Sequence, residues 1–214
     1  CFMTFLSAGD HVISASAVFG STHTILTKYL PKWGIEYSYF DMNTPEVIES
    51  LIKSNTKLLY VETPSNPGLD IIDLEYVAAI CKKYNLWLVE DCCDALGATY
   101  RGKMVGTFGD IGTLSFYPAH HITMGEGGAV FTNNSELKLI AESFRDWGRD
   151  CWCAPGCDNT CLKRYEWTLG ELPEGYDHKY TYSHLGYNLK SGDIQAAIGL
   201  AQLDRLDSFI ELRR

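Results

Sequence analysis

The chain has 214 residues, 46% of them hydrophobic and 21% charged, and a formal net charge of −9. That balance suits a globular chain with a core, excludes a low-complexity polymer, and disfavours nucleic-acid binding or a basic membrane-surface patch. No apolar run approaches the roughly 20 residues of a transmembrane helix, and no internal repeat is found.

Strand-like and helix-like runs alternate along the chain. Residues 11–15 read as a strand and 22–33 as a helix. Residues 35–40 follow as a strand, and 45–53 as a helix opened by Pro45 in its first turn. A strand at 57–62 precedes a helix at 74–84 with Asp73 as its cap, and 86–90 reads as a buried strand. Two further strands fall at 112–116 and 129–132, then a helix at 135–147. Residues 151–182 form a long irregular insertion, a kind of segment that usually serves a function. A strongly amphipathic helix is expected at 193–206. Such alternation implies right-handed βαβ units and a mostly parallel α/β sheet.

Asp91 follows the 86–90 strand. Open α/β sheets bind ligands at the carboxyl ends of their strands, although a strand-end aspartate also commonly caps the next turn. Cysteine is the second signal. Of eight cysteines, Cys151, Cys153, Cys157 and Cys161 fall within eleven residues. Clustered thiols outside a secreted scaffold more often bind metal than pair. Taken locally, the four suit a structural zinc site or iron–sulfur ligation, and both readings stay open, though Cys-x-Cys is less usual for zinc than Cys-x-x-Cys.

The run Ser115-Phe116-Tyr117-Pro118-Ala119-His120-His121-Ile122-Thr123-Met124-Gly125-Glu126-Gly127-Gly128 resembles the cofactor-lysine segment of the DegT/DnrJ/StrS sugar aminotransferases. These are fold-type-I pyridoxal-phosphate enzymes. In that family a Ser-Phe pair precedes the Schiff-base lysine and Gly-Glu-Gly-Gly follows it. Here His120 holds the lysine slot; taken alone, it would read as an ordinary loop histidine. A histidine cannot tether the aldehyde cofactor, but it can move a proton near neutral pH. The resemblance therefore narrows to the dehydratases that use pyridoxamine phosphate held non-covalently and a [2Fe-2S] cluster to remove the 3-hydroxyl of CDP-4-keto-6-deoxyglucose. Their cluster ligands are spaced by fifty-seven, one and seven intervening residues, and Cys93, Cys151, Cys153 and Cys161 reproduce that spacing. Cys92 and Cys157 are left as spectators.

The resemblance implies the large domain of a fold-type-I enzyme, with helices on both faces of the sheet. It implies His120 as the base and Asp91 as the partner of the pyridine nitrogen. It also implies Ser115 as a donor to the cofactor phosphate. Asn188 matches an asparagine that reaches a phosphate, often across a dimer; a turn residue is the alternative. Phe19 matches a ring that stacks on the cofactor; core packing is the alternative. The resemblance further implies a cytoplasmic homodimer that receives electrons from an NADH-dependent flavin/iron–sulfur reductase.

Residues 84–214 carry this likeness most closely, as in Glu90-Asp91-Cys92-Cys93-Asp94-Ala95-Leu96-Gly97. Residues 6–83 are similar instead to trans-sulfuration enzymes, notably homoserine sulfhydrylases, as in Val18-Phe19-Gly20-Ser21-Thr22 and Glu62-Thr63-Pro64-Ser65-Asn66-Pro67. There the asparagine lies beside the cofactor's 3′-oxygen, which implies that place for Asn66. The chain thus resembles a fusion of two fold-type-I enzymes joined near residue 83. It also reads as a fragment of the large domain, without the upstream phosphate loop or the C-terminal small domain. A trans-sulfuration lyase and a non-catalytic zinc-binding domain are the alternatives.

Overall fold

A computed structural model describes residues 2–153 and 156–213. Two compact units result: Cys1–Asn133 with Asp193–Arg214, and Asn134–Gly192. The first holds α1 (Phe2–Phe5), β1 (His11–Ala15), α2 (Gly20–Thr24), β2 (Glu36–Phe40), α3 (Ile48–Leu51), β3 (Thr56–Glu62), α4 (Leu74–Tyr84) and β4 (Trp87–Asp91). It continues through β5 (Thr99–Tyr100), β6 (Lys103–Met104), β7 (Ile111–Ser115) and β8 (Gly128–Phe131). α5 (Ser135–Arg145) opens the second unit, and α6 (Asp193–Leu203) and α7 (Leu206–Arg213) belong to the first.

Six strands form one sheet in the order β2-β1-β3-β4-β7-β8. All neighbours run parallel except β7 and β8. Val12, Ile13, Leu58, Leu59, Leu88 and Val89 are buried. Parallel strands buried on both faces read as continuous apolar runs, as these do. α4 buries Leu74, Val77, Ile80 and Cys81, and its cap Asp73 accepts from Tyr76 N at 3.0 Å, as expected. Glu90, fully buried at the end of β4, accepts from Gly106 N (2.8 Å) and Gly109 N (2.6 Å), which anchors the loop leading into β7.

Several expectations change. The 22–33 helix becomes α2, a π turn at Ile25–Tyr29 and a 3-10 turn at Leu30–Trp33, because Pro31 has no N–H for a continuing α ladder. The 45–53 helix opens as a 3-10 turn and is α-helical only at Ile48–Leu51. The β5–β6 hairpin escaped periodicity because each strand has two residues; Arg101 and Gly102, both at positive φ, make its two-residue turn. The helix expected at 193–206 is not amphipathic: Ile194 is 81% and Leu200 68% exposed. Its buried residue is Gly199, where a side chain would collide with Met124, so a glycine contact takes the place of an apolar stripe.

In the second unit, Asn134 Oδ1 caps α5 by accepting from Glu136 N and Leu137 N. Beyond α5 the chain is irregular, as expected, apart from a 3-10 turn at His178–Tyr180 and bridges at Asp146–Asn188 and Arg149–Tyr182. Arg164 grips Asp177 with two parallel bonds of 3.0 and 2.7 Å, which closes this loop on itself. Among the described residues no helix is long and apolar enough to cross a membrane.

Candidate active site

Parallel pairing brings the carboxyl ends of β3, β4 and β7 together: Glu62 pairs with Asp91, and Asp91 with Thr113. In open sheets this edge receives ligands. Asp91 Oδ2 accepts from Tyr60 Oη at 2.5 Å, and Oδ1 accepts from Cys93 N and Thr113 Oγ1, each at 3.2 Å. Oδ1 thus does what a turn cap does, while the full set of donors fixes the carboxylate in one orientation. Burial and the Asp91 charge push the Tyr60 phenol well above its ordinary value, so it remains a donor.

Glu62, 5% exposed, accepts from Phe19 N at 2.7 Å. Burial, with the Asp91 and Asp94 charges, pushes its carboxyl up to about 7 against the hydrogen bonds from Phe19 and Asn66 backbone amides. Phe19 caps α2 with its ring 52% exposed, which removes the core-packing alternative. Asn66 is half-buried and precedes a cis peptide to Pro67.

Ser115 ends β7, and its Oγ accepts from Tyr117 N at 3.2 Å. Residues 116–127 loop between the antiparallel strands β7 and β8, closed by Phe116 N to Gly127 O (2.9 Å) and Met124 N to Phe116 O (2.8 Å). His120 sits in this loop, half-buried, its amide donating to Tyr117 O at 3.0 Å and its carbonyl accepting from Arg213 at 3.1 Å. His120 Nδ1 lies 2.9 Å from Asp94 Oδ1, close enough for an ion pair but without hydrogen-bond alignment. At the end of β4, Cys93 is half-buried, and burial and Asp91 raise its thiol. Cys92 is buried, with Sγ 3.6 Å from Glu90 O.

In the second unit Cys151, Cys153 and Cys161 share a cavity of about 280 Å³ with His178. Thr160, Cys161 and Cys151 contact the Cys153 thiol and lower it to about 7, while burial raises that of Cys151. Cys161 is buried and Cys157 exposed. The cavity is also lined by Arg149, Arg164, Lys179 and Lys190, which suits an anionic thiolate cluster. The three thiols fit iron–sulfur ligation in kind and adjacency; among the described residues, no three His, Cys, Asp or Glu are already drawn into metal-holding positions. Asn188 is exposed and pairs with Asp146 in a bridge, so it is not a turn residue.

Sequence reasoning passed over Tyr60, Glu62, Asp94 and His178. Two of them carried a local signal: Asp94 follows Cys93 in the Glu90–Gly97 run, and Glu62 opens the Glu62–Pro67 run. The donor set around Asp91, the exposed Phe19 ring and the Ser115 hydroxyl fit a pyridoxamine or pyridoxal phosphate group.

The family model described as DegT/DnrJ/EryC1/StrS aminotransferase matches residues 3–214. The chain belongs to that family. Among its relatives, the lipopolysaccharide biosynthesis protein RfbH of Salmonella typhimurium is 56% identical over 98% of this chain and 48% of that protein. The dTDP-4-dehydro-2,6-dideoxy-D-glucose 3-dehydratase of Saccharopolyspora spinosa is 49% identical over 98% of this chain and 45% of that protein. In structure, GDP-4-keto-6-deoxymannose-3-dehydratase with bound GDP-perosamine matches with a TM-score of 0.73 at 27% identity, over 98% of this chain and 52% of that one. The chain spans about half the length of the curated relatives it matches. Fold-type-I architecture is therefore established, and trans-sulfuration enzymes share it. The RfbH relative matches both halves of the chain, and trans-sulfuration enzymes match about two thirds of it.

Proposed function

We propose that this chain is part of a cytoplasmic, pyridoxamine-phosphate- and [2Fe-2S]-dependent dehydratase. It removes the 3-hydroxyl of CDP-4-keto-6-deoxyglucose in the synthesis of 3,6-dideoxyhexoses for lipopolysaccharide O-antigen. The observation that carries this reading is His120 in the loop after β7, the slot of the family's lysine, at the sheet edge that also presents Asp91. When bound, pyridoxamine phosphate supplies an electron-accepting ring and an amine that engages the 4-keto carbon.

The chain's own residues then have distinct tasks. Asp91, held by Tyr60, Thr113 and the Cys93 amide, pairs with the ring nitrogen. Ser115 donates to the phosphate, and Asn188 does so across a homodimer. The exposed Phe19 ring stacks on the cofactor and Asn66 lies beside its 3′-oxygen. His120, with Nδ1 turned to Asp94, would take a proton at the reacting carbon through Nε2. Cys93, Cys151, Cys153 and Cys161 would hold the cluster, whose chemistry is one-electron transfer, and an NADH-dependent flavin/iron–sulfur reductase would be the electron source. The relatives named as 3-dehydratases support the reaction class, and the cysteine spacing supports the cluster.

The test is turnover of CDP-4-keto-6-deoxyglucose by the full-length protein, reconstituted with iron, sulfide and pyridoxamine phosphate, under a reductase or chemical reductant. Mass spectrometry should show a product lacking the 3-oxygen. An aminated sugar in its place would make the protein an aminotransferase and sink the reading.

A further inference from the structure

His178 stands outside every role assigned so far. It lies 17 residues from Cys161, is fully buried, and places Nε2 3.2 Å from the buried Cys161 Sγ. Trp167 stacks on its ring at 4.1 Å and 15°, and its amide donates to Arg164 O at 3.2 Å. The next residue toward the N-terminus, Asp177, is the one Arg164 grips. The imidazole is therefore held on one face, at its backbone and at its neighbour, and its edge is aimed at sulfur.

The tautomer follows from what the ring meets. Nδ1 is buried and has no hydrogen-bond partner among the described residues. A buried donor left unpaired costs more than an idle lone pair, so the proton belongs on Nε2, directed at Cys161. The same sulfur accepts from Lys163 N at 3.4 Å. Two donors converge on one sulfur, an arrangement suited to the negative charge of a metal-bound thiolate. Hydrogen bonds to ligand sulfurs orient the ligand and stabilise the reduced, more negative cluster.

We propose that His178 is a positioning residue of the cysteine site: its Nε2–H bond to Cys161 Sγ sets the ligand's orientation and raises the reduction potential of the cluster. This rests on the iron–sulfur reading above. Its test uses the full-length reconstituted protein and needs no sugar turnover. Dithionite supplies one electron through a mediator dye and takes the cluster from diferric to mixed-valent, while absorbance reads the midpoint. His178→Phe keeps a ring for Trp167 and removes the donor. We expect it to retain iron and to shift the midpoint to more negative potential, with His178→Gln, which keeps an N–H, shifting less.

A second measurement needs no variant. In the reduced wild-type protein with ¹⁵N-labelled histidine, pulsed electron paramagnetic resonance should show a weak nitrogen coupling, as for a hydrogen-bonded imidazole. A strong ligand-type coupling, or iron loss in His178→Phe at unchanged melting temperature, would make His178 a ligand and overturn the proposal. No coupling, or an unmoved midpoint in His178→Phe, overturns it as well while leaving the cluster in place. If His178→Phe does not fold, the wild-type coupling and His178→Gln decide. A wild-type protein with no iron–sulfur signal removes the underlying reading and this inference together.

Discussion

Tyr60 donates its hydroxyl to Asp91 Oδ2 at 2.5 Å, from β3 to the neighbouring β4, although 31 residues separate the two. The phenol sits one strand position before the Val61–Glu90 pair, so the bond reaches diagonally to the strand end. It holds the Asp91 carboxylate in place at the ligand edge of the sheet.

Tyr60→Phe should therefore weaken binding of pyridoxamine phosphate. Losing a hydrogen bond to a charged group costs about 1.5 kcal/mol, roughly tenfold in the dissociation constant. Calorimetric titration reads it. Unchanged affinity would mean that Cys93 N and Thr113 suffice to orient Asp91.

His120→Lys should give the protein a covalent imine with added pyridoxal phosphate. Borohydride reduction followed by peptide mass spectrometry would find the adduct on the new lysine, while the wild-type chain shows none at that loop. Dehydratase activity should be lost. No adduct in the variant would show that residue 120 does not occupy the lysine slot.

Serine at Cys93, Cys151, Cys153 or Cys161 should each lower bound iron and bleach the visible absorbance, whereas Cys157→Ser should leave both intact. Cys157 is exposed while Cys161 is buried beside His178. Metal loss on changing Cys157 but not Cys93 would instead point to a local zinc-like site.

Glu62 makes stability depend on pH in a stated direction. Its carboxyl titrates at about 7 in the folded chain against an ordinary 4.5. Below that ordinary value both folded and unfolded chains keep the proton, and the group adds no pH dependence. As pH rises from there to about 7, the unfolded chain releases the proton first, so stability falls; beyond it the loss is complete. Glu62→Gln removes this effect. Its melting temperature relative to wild type should rise between pH 5 and pH 8. A difference that does not change with pH would show that Glu62 titrates normally.

The sequence by itself determined most strands of the main sheet, helix α4 and the family. Apolar runs at β1, β3 and β4 announced strands, Asp73 announced the start of α4, and the residues around His120 announced the family. These signals are local: periodicity, caps and motifs act within a few residues. Tertiary structure decided which distant groups meet. Tyr60 and Glu62 reach Asp91 only through the β3–β4 register, Asp94 approaches His120 only once the β7–β8 loop folds back, and His178 finds Cys161 only after the Arg164–Asp177 staple closes its loop. Tertiary structure also left the apolar side chains of α6 exposed, contrary to their spacing. Strand register and loop closure depend on packing summed over the whole unit, and no short stretch of sequence contains that sum.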